Sequence, residues 1–482
     1  GCTYPPIFRS SNPPTIDMKR ISIIAALVTI IIACNTYNEL PQPTATGDWK
    51  TKQVPATVQQ LDGDPQAGLD FLIYGDYLGT GVPYEILQKR FKNARDTVLN
   101  RTGKNANMPY AFTVFEAANG VTVGNGNCFA CHATELNGEV VLGLGDSFSD
   151  FTKNMTPAMK AVYFGVDLKY NKASAEWAAF EDFGNFSKAM APHIHTNQRG
   201  ANPAFRLAEA CMMHRDPVDL TWKEEPNYEI ADYPVATDVP PLWHVKKKNG
   251  LYYNGGGRGD FTKLLFQASV LGIPDSTAAR QAIRGFKDVL AWLRSLEPPK
   301  YPGEIDQHLA AKGKLVFEEN CSKCHGTYGE HWTYPNKVVA LDVVKTDPMY
   351  AYYAHASGIS EWYNNSWFAR SEPRSYFDMT QGYIAPPLDG IWATAPYLHN
   401  GSVPTLEDLL NSEQRPTYWQ RSGETSDYDH KKVGWRYEAK GNASGKWTFD
   451  TTLPAYSNVG HYFGDKLKDN ERKAVIEYLK ML

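Results

Sequence analysis

Cysteine is scarce in this sequence, which has seven in 482 residues. A disulfide framework places many cysteines in a short chain, so this density excludes one. An excess of charge of one sign is lacking too, because 49 basic residues oppose 53 acidic ones and the formal net charge is −4. No basic block stands out, and we therefore expect no nucleic-acid partner.

Long apolar runs are lacking as well. The run at 21–33 is shorter than the roughly 20 residues that a membrane-spanning helix needs. Lys19 and Arg20 precede it, and Ala33 and Cys34 end it, so 18–34 is similar to a bacterial lipoprotein signal peptide. We expect export and a lipid anchor on Cys34 as the membrane contact, facing the periplasm or the cell surface. An ordinary signal peptide with an incidental cysteine is the alternative.

The segments around this signal are assigned by composition. Residues 1–17 precede Met18, are rich in proline and are expected to be upstream or non-native sequence. Residues 35–60 are polar and dotted with proline, which is typical of a flexible tether.

What the sequence does contain is the pattern Cys-x-x-Cys-His, twice. The six residues are Cys128, Cys131, His132, Cys321, Cys324 and His325. This is the attachment motif of c-type haem, in which cysteines one helical turn apart can reach both vinyl groups and the histidine is the proximal iron ligand. A zinc site would need a second cysteine pair nearby, and a thioredoxin-like site would need a βαβ context. We therefore expect two covalently bound c-type haems.

Each motif is followed by a similar amphipathic helix. "FKDVLAWLRSL" at 286–296 recurs as "RKAVIEYLKML" at 472–482, and the proline-rich "EPPKYPGE" separates the two units. A helix is also predicted over 310–319, leading into the second motif. Helix, haem motif, long loop and closing helix together resemble the cytochrome c fold. The predicted fold is mainly α, with two enlarged cytochrome c-like domains in tandem at 61–300 and 301–482, each with one haem and long irregular loops.

The two haems are predicted to differ in their second iron ligand. His461 lies in the loop before the second closing helix, where cytochromes c carry the distal ligand. The matching region of the first unit, 261–285, has no His, Met or Cys. We expect His461 to complete a two-histidine, electron-transfer haem and the first haem to stay open; a solvent-facing role for His461 is the alternative. Competing ligands for the second iron are His355, Met379 and His399. Other candidates for the first iron are Met155, Met159, His193, His195, Met212, Met213, His214 and His244.

The segment "GIWATAPYLHNGSVPTLEDLL" at 390–410 resembles an element of di-haem cytochrome c peroxidases and MauG-like proteins. Within that superfamily the chain is most similar to RoxA-type rubber oxygenases, with further shared segments at 63–84, 238–261 and 457–464. The resemblance implies a first haem that binds dioxygen, a second haem with two histidines, and a tryptophan and a phenylalanine near the reactive haem. By motif position these are Trp243 and Phe261, for which a core role is the alternative. The chain is shorter than rubber oxygenases and is predicted to be lipid-anchored, so a bulky polymer substrate does not follow.

Two further residues are predicted to contact haem. "NGGGRGD" lacks the Lys-Ser/Thr of a phosphate-binding loop, so its glycines are expected to let backbone pass close to a porphyrin, with Arg258 near a propionate. His399 in "PYLHNG" is expected beside the second haem.

Three functions remain open at this point. The first is an oxidoreductase that activates dioxygen at the N-terminal haem to oxidise an organic substrate, with a small electron-transfer protein as partner. The second is a cytochrome c peroxidase that reduces hydrogen peroxide, and the third is a non-catalytic di-haem electron carrier. Peroxide cleavage is helped by polar groups beside the iron, so the phenylalanine-bearing segment favours dioxygen.

Overall fold

The structure is a computed structural model that describes residues 51–482. Two pairs of packed helices form its framework, and both pairs pack in the same way. Helix Pro65–Tyr74 crosses helix Phe286–Ser295, and helix Gln307–Asn320 crosses helix Asp469–Leu479. The three helices predicted from the sequence are thus confirmed, with ends shifted by up to three residues. The helix Pro65–Tyr74 completes the first pair and was not predicted.

In each pair, one glycine allows the backbones of the two helices to approach closely. A Cβ on Gly68 would overlap the backbone at Asp288, and a Cβ on Gly313 would overlap the backbone at Ala474. Asp288 and Ala474 occupy the same position in the two similar sequences at 286–296 and 472–482. The repeat seen in the sequence is therefore a repeat of backbone packing as well.

Aspartate side chains begin several of these helices. Asp64 accepts a hydrogen bond from the Ala67 N–H at 2.8 Å, and Pro65 follows at the first helical position. Asp306 accepts from the Leu309 N–H at 2.9 Å. Such N-caps accept hydrogen bonds from backbone N–H groups that have no partner within the helix. Proline suits the first helical position because it has no N–H group that would need an acceptor there.

The helices and strands are short and alternate along the chain. The helices are Pro65–Tyr74, Tyr84–Arg90, Thr156–Lys169, Ala175–Ala178, Glu181–Met190, Ala204–Met212, Phe261–Phe266, Ser276–Ala282, Phe286–Ser295, Gln307–Asn320, Ser322–His325, Leu341–Val344, Met349–Ala356, Ile359–Asn365, Trp367–Arg370, Leu406–Leu409 and Asp469–Leu479. The strands are Thr51–Gln53, Val82–Pro83, Phe112–Glu116, Thr122–Gly126, Ala133–Leu136, Glu139–Leu142, Gly257–Gly259, Lys337–Ala340, Ser375–Phe377, Gly382–Ile384, Tyr418–Gln420, Tyr428–Asp429, Gly434–Trp435, Glu438–Lys440 and Thr448–Asp450. Across 51–482, no helix has the length and apolar character to cross a bilayer.

Small antiparallel sheets connect distant parts of the chain. Lys337–Ala340 is the central strand between Thr51–Gln53 and Gly382–Ile384, and Val339 lies opposite both Thr51 and Tyr383. The strand Gly257–Gly259 pairs with Ser375–Phe377. These strands make the fold a mixture of helix and strand, so the predicted mainly α class holds only in part.

The hydrophobic core crosses the predicted boundary at residue 300. Phe129 packs edge-on against Trp292, with ring centroids 5.8 Å apart, in a cluster that also takes in aromatic residues from the second half. Those residues are Trp362, Tyr363, Trp367, Phe368 and Phe377. Leu136, Leu144 and Trp243 in turn join the core of the second half. The domain bounds 61–300 and 301–482 stay a prediction, and the segments 1–17 and 18–34 lie outside the described residues, as does most of 35–60.

Candidate functional site

The second Cys-x-x-Cys-His motif lies at the end of a helix. Helix Gln307–Asn320 runs into Cys321, whose N–H donates to the Phe317 carbonyl at 2.8 Å, and the turn Ser322–His325 carries the rest of the motif. The His325 N–H donates to the Cys321 carbonyl at 3.1 Å. Both cysteines and the histidine thereby reach the wall of one cavity.

Apolar side chains form most of the wall of this cavity, which we call the second-motif cavity. Residues with polar groups also line it, among them Tyr253, Tyr383, His399 and His461. Nowhere in 51–482 do three or more His, Cys, Asp or Glu side chains form a group that could hold a metal ion. Histidines in such a cavity fit an iron whose remaining ligands come from a porphyrin.

His325 is oriented by a proline carbonyl. Its Nδ1 lies 2.8 Å from the Pro386 oxygen, and in the tautomer that this contact selects Nδ1–H donates to the carbonyl. Nε2 is left free as a metal ligand, which is the usual arrangement for metal-binding histidines. Burial lowers the pKa of His325 against the opposing effect of the Pro386 contact, and the neutral ring is the form that binds metal.

His461 faces His325 across the cavity. The ring centroids lie 6.2 Å apart and the ring planes meet at 62°. Imidazole–metal bonds are about 2.0–2.1 Å long, so one metal ion held by a nitrogen of each ring would fill this gap. Burial lowers the pKa of His461 to about 3, with His325 and Arg415 adding to the shift.

The backbone around His461 is held in an uncommon conformation. His461 has φ 49° and Gly460 has φ 83°, both in the left-handed region. A Cβ on Gly460 would overlap the backbone of Lys345 and Thr346, and the His461 N–H donates to the Val344 carbonyl at 2.7 Å. A left-handed conformation at a non-glycine residue often marks a functional site, and here it aims the imidazole into the cavity.

His399 also lies in this cavity. Its ring stacks on Tyr383 with centroids 4.1 Å apart, its Nε2 is buried without a partner in the described chain, and burial lowers its pKa to about 3. Two other residues compete with His461 as ligands of the second iron. His355 is exposed on helix Met349–Ala356, and the Met379 sulfur lies 3.2 Å from the Asn254 amide. His399 is thus placed to contact a group in the cavity, while His461 has the geometry of a ligand opposite His325.

The first motif is built from a tighter turn. Cys128–Ala130 form a 3₁₀ turn capped by the Asn127 side chain, and the His132 N–H donates to the Cys128 carbonyl at 3.0 Å. The Asn202 amide lies 3.7 Å from the Cys131 sulfur. Burial lowers the pKa of His132 to about 4, and the Pro240 backbone opposes this shift. Nδ1 of His132 is buried without a well-formed hydrogen bond among the described residues.

Pro240 and Pro386 belong to a second internal repeat that the sequence analysis missed. "VPPLWHVKKKNGLYYNGGG" at 239–257 aligns without gaps to "APPLDGIWATAPYLHNGSV" at 385–403. Both segments close a loop with one backbone bridge, Leu251–Gly257 and Tyr397–Val403. The Pro-Pro-Leu and Asn-Gly residues that the two segments share were the sequence signal for this repeat.

The two loops also share their internal geometry. Tyr252 and Leu398 occupy equivalent positions, with φ 67° and 68°. The equivalent asparagines, Asn254 and Asn400, each accept from the backbone N–H two residues later, at 2.9 and 3.3 Å. Each repeat therefore supplies a proline carbonyl facing the histidine of one haem motif, and His399 of the second repeat corresponds to Tyr253 of the first.

Trp243 lies between the two motifs. Its indole N–H donates to the Asp389 carbonyl at 2.8 Å, three residues after the proline that orients His325. Its ring also lies against Gly143, whose N–H donates to the His132 carbonyl at 2.8 Å. Trp243 therefore contacts the backbone that supports each motif.

The remaining predicted residues are buried but lie elsewhere. Phe261 packs in the first core with Phe129, and its N–H donates to Gln59 at 2.9 Å. Arg258 does not line the second-motif cavity; its Nη2 lies 3.8 Å from Asp378, and its Nε and Nη1 are buried without partners among the described residues. The haem contacts of both residues stay predictions.

Comparisons with known proteins agree with part of this description. Residues 382–420 match the family described as RoxA-like, cytochrome c-like. The uncharacterized protein y4iJ of Sinorhizobium fredii is 31% identical over 255 residues, covering 39% of this chain and 41% of y4iJ. The uncharacterized protein y4iM of the same organism is 27% identical over 234 residues, covering 44% of this chain and 52% of y4iM. The chain thus spans about half the length of these curated relatives, or less.

The solved structures that match include the hydrazine synthase of Kuenenia stuttgartiensis pressurized with xenon. It is 14% identical, with 72% of this chain and 98% of that chain covered, and its TM-score of 0.23 is too low to support an argument about the fold. The family match therefore carries the conclusion. It lies in the segment that contains Pro386 and His399, and it identifies a RoxA-like, cytochrome c-like segment in the C-terminal half of this chain.

Proposed function

We propose that this protein is a di-haem c-type cytochrome oxidoreductase. In it, the N-terminal haem activates dioxygen to oxidise an organic substrate, and the C-terminal haem transfers electrons. The observation that carries the proposal is the placement of His461 opposite His325, beside Cys321 and Cys324. Two histidine ligands leave no position for oxygen at that iron, so the chemistry falls to the other haem.

The chain's own residues suit the second site to electron transfer. Pro386 holds the ring of His325, and the left-handed backbone at Gly460 and His461 holds the opposite ring. Ligands that are held in place in both oxidation states keep structural rearrangement on electron transfer small.

The first site differs in the groups around it. Phe261 and Phe129 belong to the apolar core on this side of the molecule, and His214 is stacked on Trp222 with centroids 4.8 Å apart, which occupies one of the competing ligands. A haem attached at Cys128 and Cys131 would supply an open iron for dioxygen chemistry. An apolar distal side at this haem, as predicted from the segment that carries Phe261, would favour dioxygen over peroxide, whose cleavage is helped by a positioned acid or base.

The route between the two sites is proposed to pass through Trp243, which contacts backbone next to His132 and next to the Pro386 segment. Electrons are proposed to arrive from a small electron-transfer protein, and the organic substrate is left open. Export and lipid anchoring at Cys34 are likewise proposals, and they rest on residues 18–34.

The first experiment counts haems. Protein produced with the haem-attachment machinery is analysed by pyridine haemochrome absorbance and mass in wild type, Cys128→Ala and Cys321→Ala. We expect two haems in wild type and one in each variant, since each motif holds its own haem. A single haem in wild type would contradict the proposal.

The second experiment titrates the reduced protein with carbon monoxide. We expect one carbon monoxide per two haems, and loss of that binding in His132→Ala. No binding would favour the electron-carrier alternative. Rapid oxidation of a reduced cytochrome by hydrogen peroxide would favour the peroxidase, whereas stable dioxygen binding without peroxide turnover supports the oxygenase.

A further inference from the structure

A run of three lysines, at 246–248, lines a surface cavity, and the last of them also lines the second-motif cavity. Lys246 forms an ion pair with Glu297 at 2.7 Å, and Lys247 forms one with Asp389 at 2.8 Å. Lys248 differs from both, because its ammonium group has no hydrogen-bond or ion-pair partner among the residues 51–482. Two of the three lysines are therefore neutralised by protein carboxylates and the third is not.

The position of Lys248 makes this difference informative. Its side chain lines the second-motif cavity together with His325 and His461. It also lines a neighbouring surface cavity of about 500 Å³ with Lys246, Lys247 and Arg294. Lys248 is thus part of the wall between the site of the proposed haem and a basic cavity at the surface.

No protein carboxylate is placed to neutralise this ammonium. Of the described residues that line the second-motif cavity, Asp238 is the one acidic side chain. Burial raises the pKa of Asp238 well above its usual range; a hydrogen bond from the Val239 backbone and the charge of Arg421 oppose this shift, and Lys248 does not contribute to it. Lys248 is half-buried and lines both cavities, so an anion bound in the second-motif cavity would meet this ammonium without competition from a protein carboxylate.

We propose that Lys248 pairs with a propionate of the haem bound at Cys321 and Cys324 and raises that haem's reduction potential. The propionates are the anionic groups of a c-type haem, and they would reach a lysine on the wall of its cavity. The proposal rests on the proposed function, since it requires a haem held by His325 and His461. A cation close to the iron in a low-dielectric site stabilises the reduced form, which carries one positive charge fewer.

The test is the midpoint potential of the low-spin haem in holoprotein, measured by spectroelectrochemistry. Lys248→Met should lower the potential, with at least a tenfold change in the equilibrium constant for reduction, or 59 mV for one electron. Lys248→Arg should stay near wild type. Lys246→Met is the matched control, because Lys246 lines the surface cavity but not the second-motif cavity. This variant should change the equilibrium constant for reduction less than threefold.

A second readout separates pairing from a general charge effect. The propionate bending band in the resonance Raman spectrum should shift in Lys248→Met and not in Lys246→Met, and Lys248→Gln provides the same comparison if the methionine variant does not fold. Potentials of Lys248→Met and Lys246→Met that move equally, with an unshifted propionate band, would overturn the pairing while leaving the haem assignment intact. A wild-type protein without a two-histidine low-spin haem would overturn both.

Discussion

His461 and His325 face each other in the second-motif cavity with ring centroids 6.2 Å apart. They are brought together from opposite ends of the C-terminal half, His325 by the end of a helix and His461 by a left-handed loop residue. The Pro386 carbonyl orients the ring of His325, and on the other side the backbone N–H of His461 donates to the Val344 carbonyl and fixes the loop that carries its ring. This arrangement predicts how iron ligation at the second motif should change when His461 or the loop that holds it is substituted.

Removal of His461 should open the second iron. In His461→Ala, the reduced protein should bind two carbon monoxide molecules in place of one, because the position opposite His325 becomes free. The absorption and paramagnetic resonance spectra should show a new high-spin haem. His355→Ala is the control, since His355 is exposed on helix Met349–Ala356, and it should leave both measurements unchanged. Unaltered spectra in His461→Ala would assign the ligand elsewhere, with His399 as the next candidate.

Substitution of Gly460 should displace His461 without removing it. Gly460→Ala adds a Cβ that would overlap the backbone of Lys345 and Thr346 at a φ of 83°. We expect the free energy of unfolding to fall by about 1–3 kcal/mol and the low-spin fraction to decrease, as measured by urea unfolding and absorbance. Gly441→Ala is the control, because Gly441 is exposed and has open space at the Cβ position. Equal stability of the two variants would contradict this account of the loop.

If electrons pass between the two proposed haems by way of Trp243, its substitution should slow that transfer. Trp243→Phe removes the hydrogen bond to the Asp389 carbonyl and should cost about 1–3 kcal/mol of stability. Trp392→Phe is a matched control, because Trp392 is buried and donates to the Pro299 carbonyl at 2.8 Å, so a similar stability loss is expected there. Stopped-flow reduction should show slower transfer from the second haem to the first in Trp243→Phe alone. Equal rates in the two variants would make Trp243 a core residue only.

A buried ion pair in the N-terminal half should make the free energy of unfolding depend on pH. The Arg101 Nε lies 2.7 Å from Asp96, and both side chains are fully enclosed. Burial alone would raise the pKa of Asp96, but hydrogen bonds from the Leu99 and Val98 backbone and from Arg101 outweigh it and lower the pKa. A carboxylate with a lowered pKa in the folded state stabilises the fold above its unfolded pKa of about 3.9, and that contribution is lost as the pH falls through the folded value.

Asp96→Asn should therefore lower the free energy of unfolding by about 1–3 kcal/mol at neutral pH. The difference from wild type should shrink as the pH is lowered below about 4. Asp62→Asn serves as the control, because Asp62 and Lys287 form a solvent-exposed pair, so a smaller loss of stability than in Asp96→Asn is expected. A difference between Asp96→Asn and wild type that does not depend on pH would rule out the charge as its source.

Local patterns predicted the parts of the fold that depend on neighbouring residues. The amphipathic spacing at 286–296 and 472–482 corresponds to helices Phe286–Ser295 and Asp469–Leu479, because periodic apolar residues favour a helix with one buried face. The strands and the core that crosses residue 300 were not predicted. Strands such as Gly257–Gly259 have three residues and are defined by partners far along the chain, so they leave little local signal.

The candidate site divides along the same line. The sequence by itself determined where haem can be attached, because the two cysteines and the histidine of each motif lie within five residues and need only one turn of backbone. His461 was predicted from its place before the closing helix, and Trp243 from the resemblance. Only the tertiary structure decided the contacts that position these residues, and it alone brought in Pro240, Pro386 and Lys248, which lie tens or more than a hundred residues from the motifs in the sequence. Those contacts follow from helix crossing, left-handed turns and burial, which a linear pattern does not encode.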